Sequence, residues 1–118
     1  MSQCIFCKIV AGEIPSAKVY EDDQVLAFKD IEAQAPVHIL VIPKKHIGSI
    51  LEVKPEDAQL MTHIVEVIQK IAAENGLAQS GFRIAVNTGR DGGQTVPHLH
   101  FHILGGRAMA WPDRKSVV

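Results

Sequence analysis

Asp91-Gly92-Gly93-Gln94-Thr95-Val96-Pro97-His98-Leu99-His100-Phe101-His102-Ile103-Leu104 holds half of the chain's six histidines, at strict alternation. In a β-strand the side-chain period is two. His98, His100 and His102 then share one face, and Leu99, Phe101 and Ile103 share the other. Alternate Cα atoms along a strand lie about 6.5–7 Å apart, so such a row of imidazoles can address one ligand together. The pattern predicts a strand from about Val96 to Leu104. Three readings are open: solvated histidines on an edge strand, a metal site of the His-x-His kind, and nucleophilic catalysis on phosphorus. The loop upstream favours the third. Gly92 and Gly93 let backbone N–H groups turn toward an anion, Thr95 adds a hydroxyl and Asn87 an amide. Those donors suit an oxyanion better than a bare metal.

Outward from that stretch, a second strand pattern runs from Phe82 to Val86, before the glycine-rich loop Asn87 to Gln94. Further upstream lies a helix. Pro55 opens it, Glu56 and Asp57 complement its positive end, and Leu60, Ile64, Val67, Ile68 and Ile71 make one apolar face. Asn75-Gly76 stops it, because both residues tolerate the left-handed conformation. The first third reads as short strands. Lys18 to Glu21 and Val25 to Lys29 flank a turn at Asp22-Asp23-Gln24, and His38 to Ile42 is an apolar run ended by Pro43. Strands, one long helix, then strands again do not make a doubly wound parallel sheet. The expected class is α+β: an antiparallel sheet of about five strands with the long helix packed on one side. His63 falls outside the helix's apolar stripe and reads as a surface residue without a role.

The chain has 118 residues, the size of one domain spanning 1–118, with a short tail from about 105 that carries Trp111. Twelve basic and thirteen acidic residues give a net charge of -1, which argues against a nucleic-acid partner. No apolar run approaches the roughly 18 residues of a membrane span, so no membrane partner is expected. Met1-Ser2-Gln3-Cys4 shows no basic segment followed by an apolar one, so no signal peptide is read. The expected location is the cytoplasm, where Cys4 and Cys7 are thiols or metal ligands rather than a disulfide.

His98-Leu99-His100-Phe101-His102-Ile103-Leu104 resembles the signature of the histidine triad, or HIT, superfamily, three histidines alternating with apolar residues. Ile5-Phe6-Cys7-Lys8-Ile9, Glu13-Ile14-Pro15, Leu26 to Ile31, Ala35 to Ile47, Asp91 to Gln94, Leu104 to Arg107 and Trp111-Pro112 resemble its Hint branch, in order along nearly the whole chain. The resemblance implies a two-fold homodimer that hydrolyses purine nucleoside 5'-phosphoramidates through a nucleotidyl-histidine intermediate. In this sequence it implies His100 as nucleophile, with His102, Thr95, Asn87, Gly93 and Val96 around the phosphate and leaving group. His38 would support the row from a neighbouring strand. Asp30 would bind the ribose hydroxyls, as an acceptor-only carboxylate suits a vicinal diol. Ile5, Phe6, Ile9, Phe28, Ile31 and Leu40 would clamp the purine, an AMP or GMP derivative. Trp111 would reach the partner's active site. The long helix and the strand from Phe82 would form the interface.

Two positions depart from the pattern. Thr95 stands where serine is frequent and keeps a hydroxyl. Pro97 stands where a bulky residue is common, and having no N–H it belongs at a strand's first residue or edge. Cys4-x-x-Cys7 reads as two ordinary thiols or as half of a zinc site. The resemblance implies a structural zinc held by Cys4, Cys7, His46 and His98, with no catalytic cofactor. Competing functions are a dinucleoside polyphosphate hydrolase, a zinc hydrolase that uses the triad as ligands, and a nucleotide-binding regulatory module.

Overall fold

A computed structural model describes residues 4–113. Residues 1–3, read above for a leader, and 114–118, the end of the tail, lie outside the described residues. The sheet has five strands: β1 (Lys18–Glu21), β2 (Val25–Lys29), β3 (Val37–Pro43), β4 (Arg83–Ala85) and β5 (Phe101–Gly105). Their spatial order is β1-β2-β3-β5-β4, and every pairing is antiparallel. Among the described residues two α-helices complete it: α1 (Ile5–Val10) and α2 (Ala58–Glu74). A 3-10 turn at Pro55–Asp57 leads into α2, with Pro55 where its missing N–H costs nothing. Gly76, at φ 71°, turns the chain away after Asn75 caps α2.

Side-chain alternation sorts the sheet into two buried faces. Val25, Ala27, Ile39, Val41, Leu99 and Ile103 pack with Leu60, Ile64, Val67, Ile68 and Ile71 of α2. Leu26, Phe28, Leu40 and Ile42 face the other way and pack with Cys4, Phe6 and Ile9. A strand buried on both faces reads as a continuous apolar run, which is why β2 and β3 are so hydrophobic.

The helix at Ile5–Val10 has no counterpart in the sequence reading, in which the first third is short strands at Lys18 to Glu21, Val25 to Lys29 and His38 to Ile42. Residues such as the β-branched Ile5 and the aromatic Phe6 carry no helix signal. A helix forms because the Cys4 thiol accepts a hydrogen bond from the Cys7 N–H at 3.3 Å, while Phe6 and Ile9 bury the same face. Two further boundaries move. The strand expected over Phe82 to Val86 is confined to Arg83–Ala85. The last strand begins at Phe101 rather than Val96. Pro97 sits in the bend before it. There the His98 N–H closes a tight turn on the Val96 carbonyl, and Leu99 donates to the Ile47 carbonyl at 2.6 Å instead of joining the ladder. The two faces nevertheless keep their alternation: Leu99 buries toward α2, and His98 and His100 meet Phe6 of α1.

Candidate active site

On the α1 side, a cavity of about 380 Å³ opens over β2, β3 and β5. Ile5, Phe6 and Ile9 line it from α1, Phe28, Asp30 and Ile31 from the end of β2, and His38 and Leu40 from β3. Thr95, Val96, His100 and His102 line it from the final segment. Ile31 is 99% exposed, so it stands at the rim. Ile14, Pro15, Ser16 and Ala17 also contribute, and of these the family resemblance includes Ile14 and Pro15. The Ser16 hydroxyl is buried without a hydrogen-bond partner, and no periodic pattern in the sequence marks it.

His38, His98, His100 and His102 are all buried. The partner of each ring nitrogen assigns the tautomers. His100 Nδ1 lies 2.6 Å from the His98 carbonyl, which can only accept. The proton is therefore on Nδ1, and Nε2 keeps a free lone pair. His38 Nδ1 accepts the Gln34 N–H at 3.0 Å, so its proton is on Nε2. That Nε2–H donates to His102 Nδ1 at 2.9 Å, with the Asp30 carboxylate 3.4 Å away. His102 must then carry its proton on Nε2, a buried donor with no partner. The register makes this contact: His38 and His102 are diagonal neighbours on β3 and β5, since Leu40 pairs with His102 and His38 with Leu104. Gln34 acts through its backbone, which no side-chain pattern could reveal.

Burial holds these imidazoles neutral. Desolvation pushes His100 below the usual histidine range, although its hydrogen bond to the His98 carbonyl opposes the shift. His102 is pushed down to about 4, by desolvation first and then by His100 and His38. Desolvation lowers His38 as well, with Asp30 opposing. At neutral pH the His100 Nε2 lone pair is available.

Asn87 and Gly93 stand outside the cavity lining. Asn87 Nδ2 donates to the Gly92 carbonyl and the Gly93 N–H to the Arg90 carbonyl, so both shape the glycine-rich loop. A Cβ on Gly92 would collide with the Thr88 carbonyl, so the loop's closure requires glycine there. Gln94 ties the loop down: it accepts from the Gly89 N–H and donates to the Gly48 and Val96 carbonyls. Trp111 is 87% exposed, with the Arg83 guanidinium 5.5 Å from its ring.

Behind the row, the fourth imidazole group is set differently. His98 donates from Nε2 to the Pro43 carbonyl at 2.8 Å, which turns its Nδ1 lone pair toward Cys4 Sγ at 3.3 Å and Cys7 Sγ at 3.6 Å. Cys7 Sγ also meets His46 Nδ1 at 3.2 Å. The four donor atoms lie within 4.8 Å of one another. Tetrahedral zinc with ordinary Zn–S and Zn–N bonds sets sulfur and nitrogen about 3.6 Å apart, so this donor set fits that ion. The three histidines thus divide: His98 joins the thiols, while His100 and His102 face the cavity. Asp30, His38 and His102 are also mutually close, but there the His38 N–H lies between the acceptors and hydrogen bonding accounts for the spacing.

The profile of the HIT domain matches residues 11–109, and the chain belongs to that family. An uncharacterised HIT-like protein of Synechococcus elongatus is 55% identical over 92% of this chain and 94% of its own length. The purine nucleoside phosphoramidase of Escherichia coli is 48% identical over 91% of this chain and 90% of its own length. Among solved structures, a HIT family hydrolase from Legionella pneumophila superposes with a TM-score of 0.92 at 49% identity, covering 94% of this chain and 99% of that one. A histidine triad protein from Clostridium difficile gives 0.90 at 55% identity, covering 93% and 96%.

Proposed function

We propose that this protein is a hydrolase of purine nucleoside 5'-phosphoramidates, cleaving their P–N bond. The observation that carries the reading is the His100 tautomer. Its Nδ1–H is committed to the His98 carbonyl, and its Nε2 lone pair belongs to a buried imidazole lining an apolar cavity. That is an activated nucleophile at neutral pH. Nε2 attacks phosphorus, the P–N bond of the substrate breaks, and the leaving nitrogen takes a proton from solvent to depart as the amine. Water then attacks phosphorus and gives its proton back to solvent, the bond to His100 breaks, and the nucleoside monophosphate leaves. The His102 Nε2–H donates to the phosphoryl group. His38 holds that donor in place and is a positioning residue. Asp30 accepts from the ribose hydroxyls, and Phe6, Ile9, Phe28 and Leu40 take the purine by apolar contact. The name of the Escherichia coli relative supports this substrate class.

Cys4, Cys7, His46 and His98 would hold a structural zinc. Such a site is closed, supplying cross-linking rather than a position for substrate. A homodimer through α2 and β4 is supported by the exposed Val65, Phe82 and Ile84 around an unpaired sheet edge. The competing reading is a dinucleoside polyphosphate hydrolase. Comparing kcat/KM for adenosine 5'-phosphoramidate and for a diadenosine polyphosphate separates the two. Preference for the phosphoramidate is expected, and preference for the polyphosphate would overturn the assignment.

A further inference from the structure

α1 has six residues, too few to hold a helix without outside support. Its support is the thiol cluster. Cys4 caps the helix, Cys7 lies in its first turn, and both sulfurs meet the His98 ring. Phe6 lies between the two cysteines in sequence and presses edge-on against His98 and His100, at 5.9 and 5.1 Å between ring centroids. The same short helix puts Ile5, Phe6 and Ile9 into the cavity wall. His98 is the other half of the clamp. Its ring is fixed at both nitrogens and is 0% exposed, and its own carbonyl is the acceptor that fixes the His100 proton on Nδ1. None of Cys4, Cys7, His46 and His98 lines the cavity.

We propose that the Cys4–Cys7–His46–His98 cluster is a positioning centre for the reaction, setting at once the apolar wall that takes the base and the tautomer of the nucleophile. The proposal rests on the reading of His100 as nucleophile. Its physical content is that one anchor serves two distant ends of the substrate. If α1 loses its pin, the base contacts loosen. If His98 loses its ring partners, the carbonyl facing His100 Nδ1 is free to move, and the imidazole can carry its proton on Nε2, where it has no nucleophilic lone pair. Groups that orient a site without touching the reacting atoms commonly carry about a 10–100-fold effect.

The test uses the zinc-supplied full chain, a Cys4→Ser/Cys7→Ser variant and a His46→Ala variant. His46→Ala removes one ligand that belongs to neither α1 nor the His98–His100 segment, so it decides the matter if the double variant does not fold. Two readouts are taken: equilibrium binding of AMP beside ribose 5-phosphate, and nitrogen-15 spectra that report the His100 tautomer. Both variants should weaken AMP by about tenfold. Ribose 5-phosphate should bind near the wild-type value, and His100 should show a mixture of tautomers. A zinc-free His46→Ala chain that keeps wild-type AMP affinity and a pure Nδ1–H tautomer overturns the proposal. A wild type that binds no AMP instead overturns the nucleotide reading, and the tautomer comparison then judges the clamp separately.

Discussion

The two faces of the sheet are made by the same strands yet differ in what they can tolerate. Toward α2, the alternate residues of β2, β3 and β5 are Val25, Ala27, Ile39, Val41 and Ile103, closed over by an aliphatic helix face. Toward α1 lie four buried imidazoles, His38, His98, His100 and His102, with the thiols of Cys4 and Cys7 set against them from α1 and its cap. On the first face, volume and apolarity suffice, and hydrocarbon of similar size can replace hydrocarbon. On the second, every ring nitrogen has an assigned role, and a buried polar group without its partner costs more than a missing methylene. Stability is concentrated on one side and chemistry on the other, and the period of two keeps them apart.

The largest expected effect comes from His100→Ala on the α1 face. Turnover of adenosine 5'-phosphoramidate should fall by at least about a thousandfold in protein that circular dichroism shows to be folded. The mirror experiment is Ile64→Ala on α2. It should cost about 2–5 kcal/mol in denaturant unfolding and leave kcat/KM of the folded protein unchanged. A kinetic effect comparable with that of His100→Ala would mean that the faces are not separate.

His38→Ala sharpens the comparison within the α1 face. It removes the donor that sets the His102 tautomer, so kcat should drop by about a hundredfold with AMP binding little changed. Nitrogen-15 spectra should show His102 losing its fixed Nε2–H. Next comes the pH profile. His100 and His102 both sit below the ordinary histidine value, so activity should persist below about pH 6.5, where a free imidazole would be protonated. The same shift fixes a stability window. The native state resists protonation of His102, so stability is full above about 6.5 and declines as pH falls toward about 4.

The smallest expected effect lies on the helix side, at a residue whose role sequence reading missed. His63 bonds to Asp22, pinning the β1–β2 turn to α2. Burial pushes Asp22 up, but bonds from Tyr20, the Gln24 and Val25 N–H groups and His63 hold it well below the usual range. The bond to Asp22 raises His63. Its stabilisation is therefore present at low pH and fades as pH rises through its folded value. His63→Gln should cost under about 1 kcal/mol at pH 6 and less at pH 9, measured by thermal unfolding.

These contrasts explain what was legible in the sequence. β1, β2 and the span of α2 could be read because period, caps and turn chemistry agree there, as at Asp22-Asp23-Gln24 and Asn75-Gly76. The two faces of the histidine row could be read as well, because alternation depends on backbone direction rather than on ladder bonds. The start of β5 could not, since Leu99 donates to Ile47, a partner remote in sequence. Nor could α1, whose helix depends on a thiol cap and on burial against β2 and β3. The nucleotide reading rests on the family resemblance. Asp30 or Phe28 without it is an ordinary strand-end aspartate or a core aromatic. The tautomers needed coordinates, because the carbonyl of His98 and the N–H of Gln34 are backbone groups.

The most direct measurement is the covalent intermediate itself. The protein is mixed with adenosine 5'-phosphoramidate, quenched in alkali within a turnover, digested, and its peptides weighed. The expected result is one adenylyl group on the peptide carrying His100, absent from the His100→Ala variant, which also fails to turn over. Steady turnover with no adduct on any peptide, persisting in His100→Ala, would contradict a histidine nucleophile.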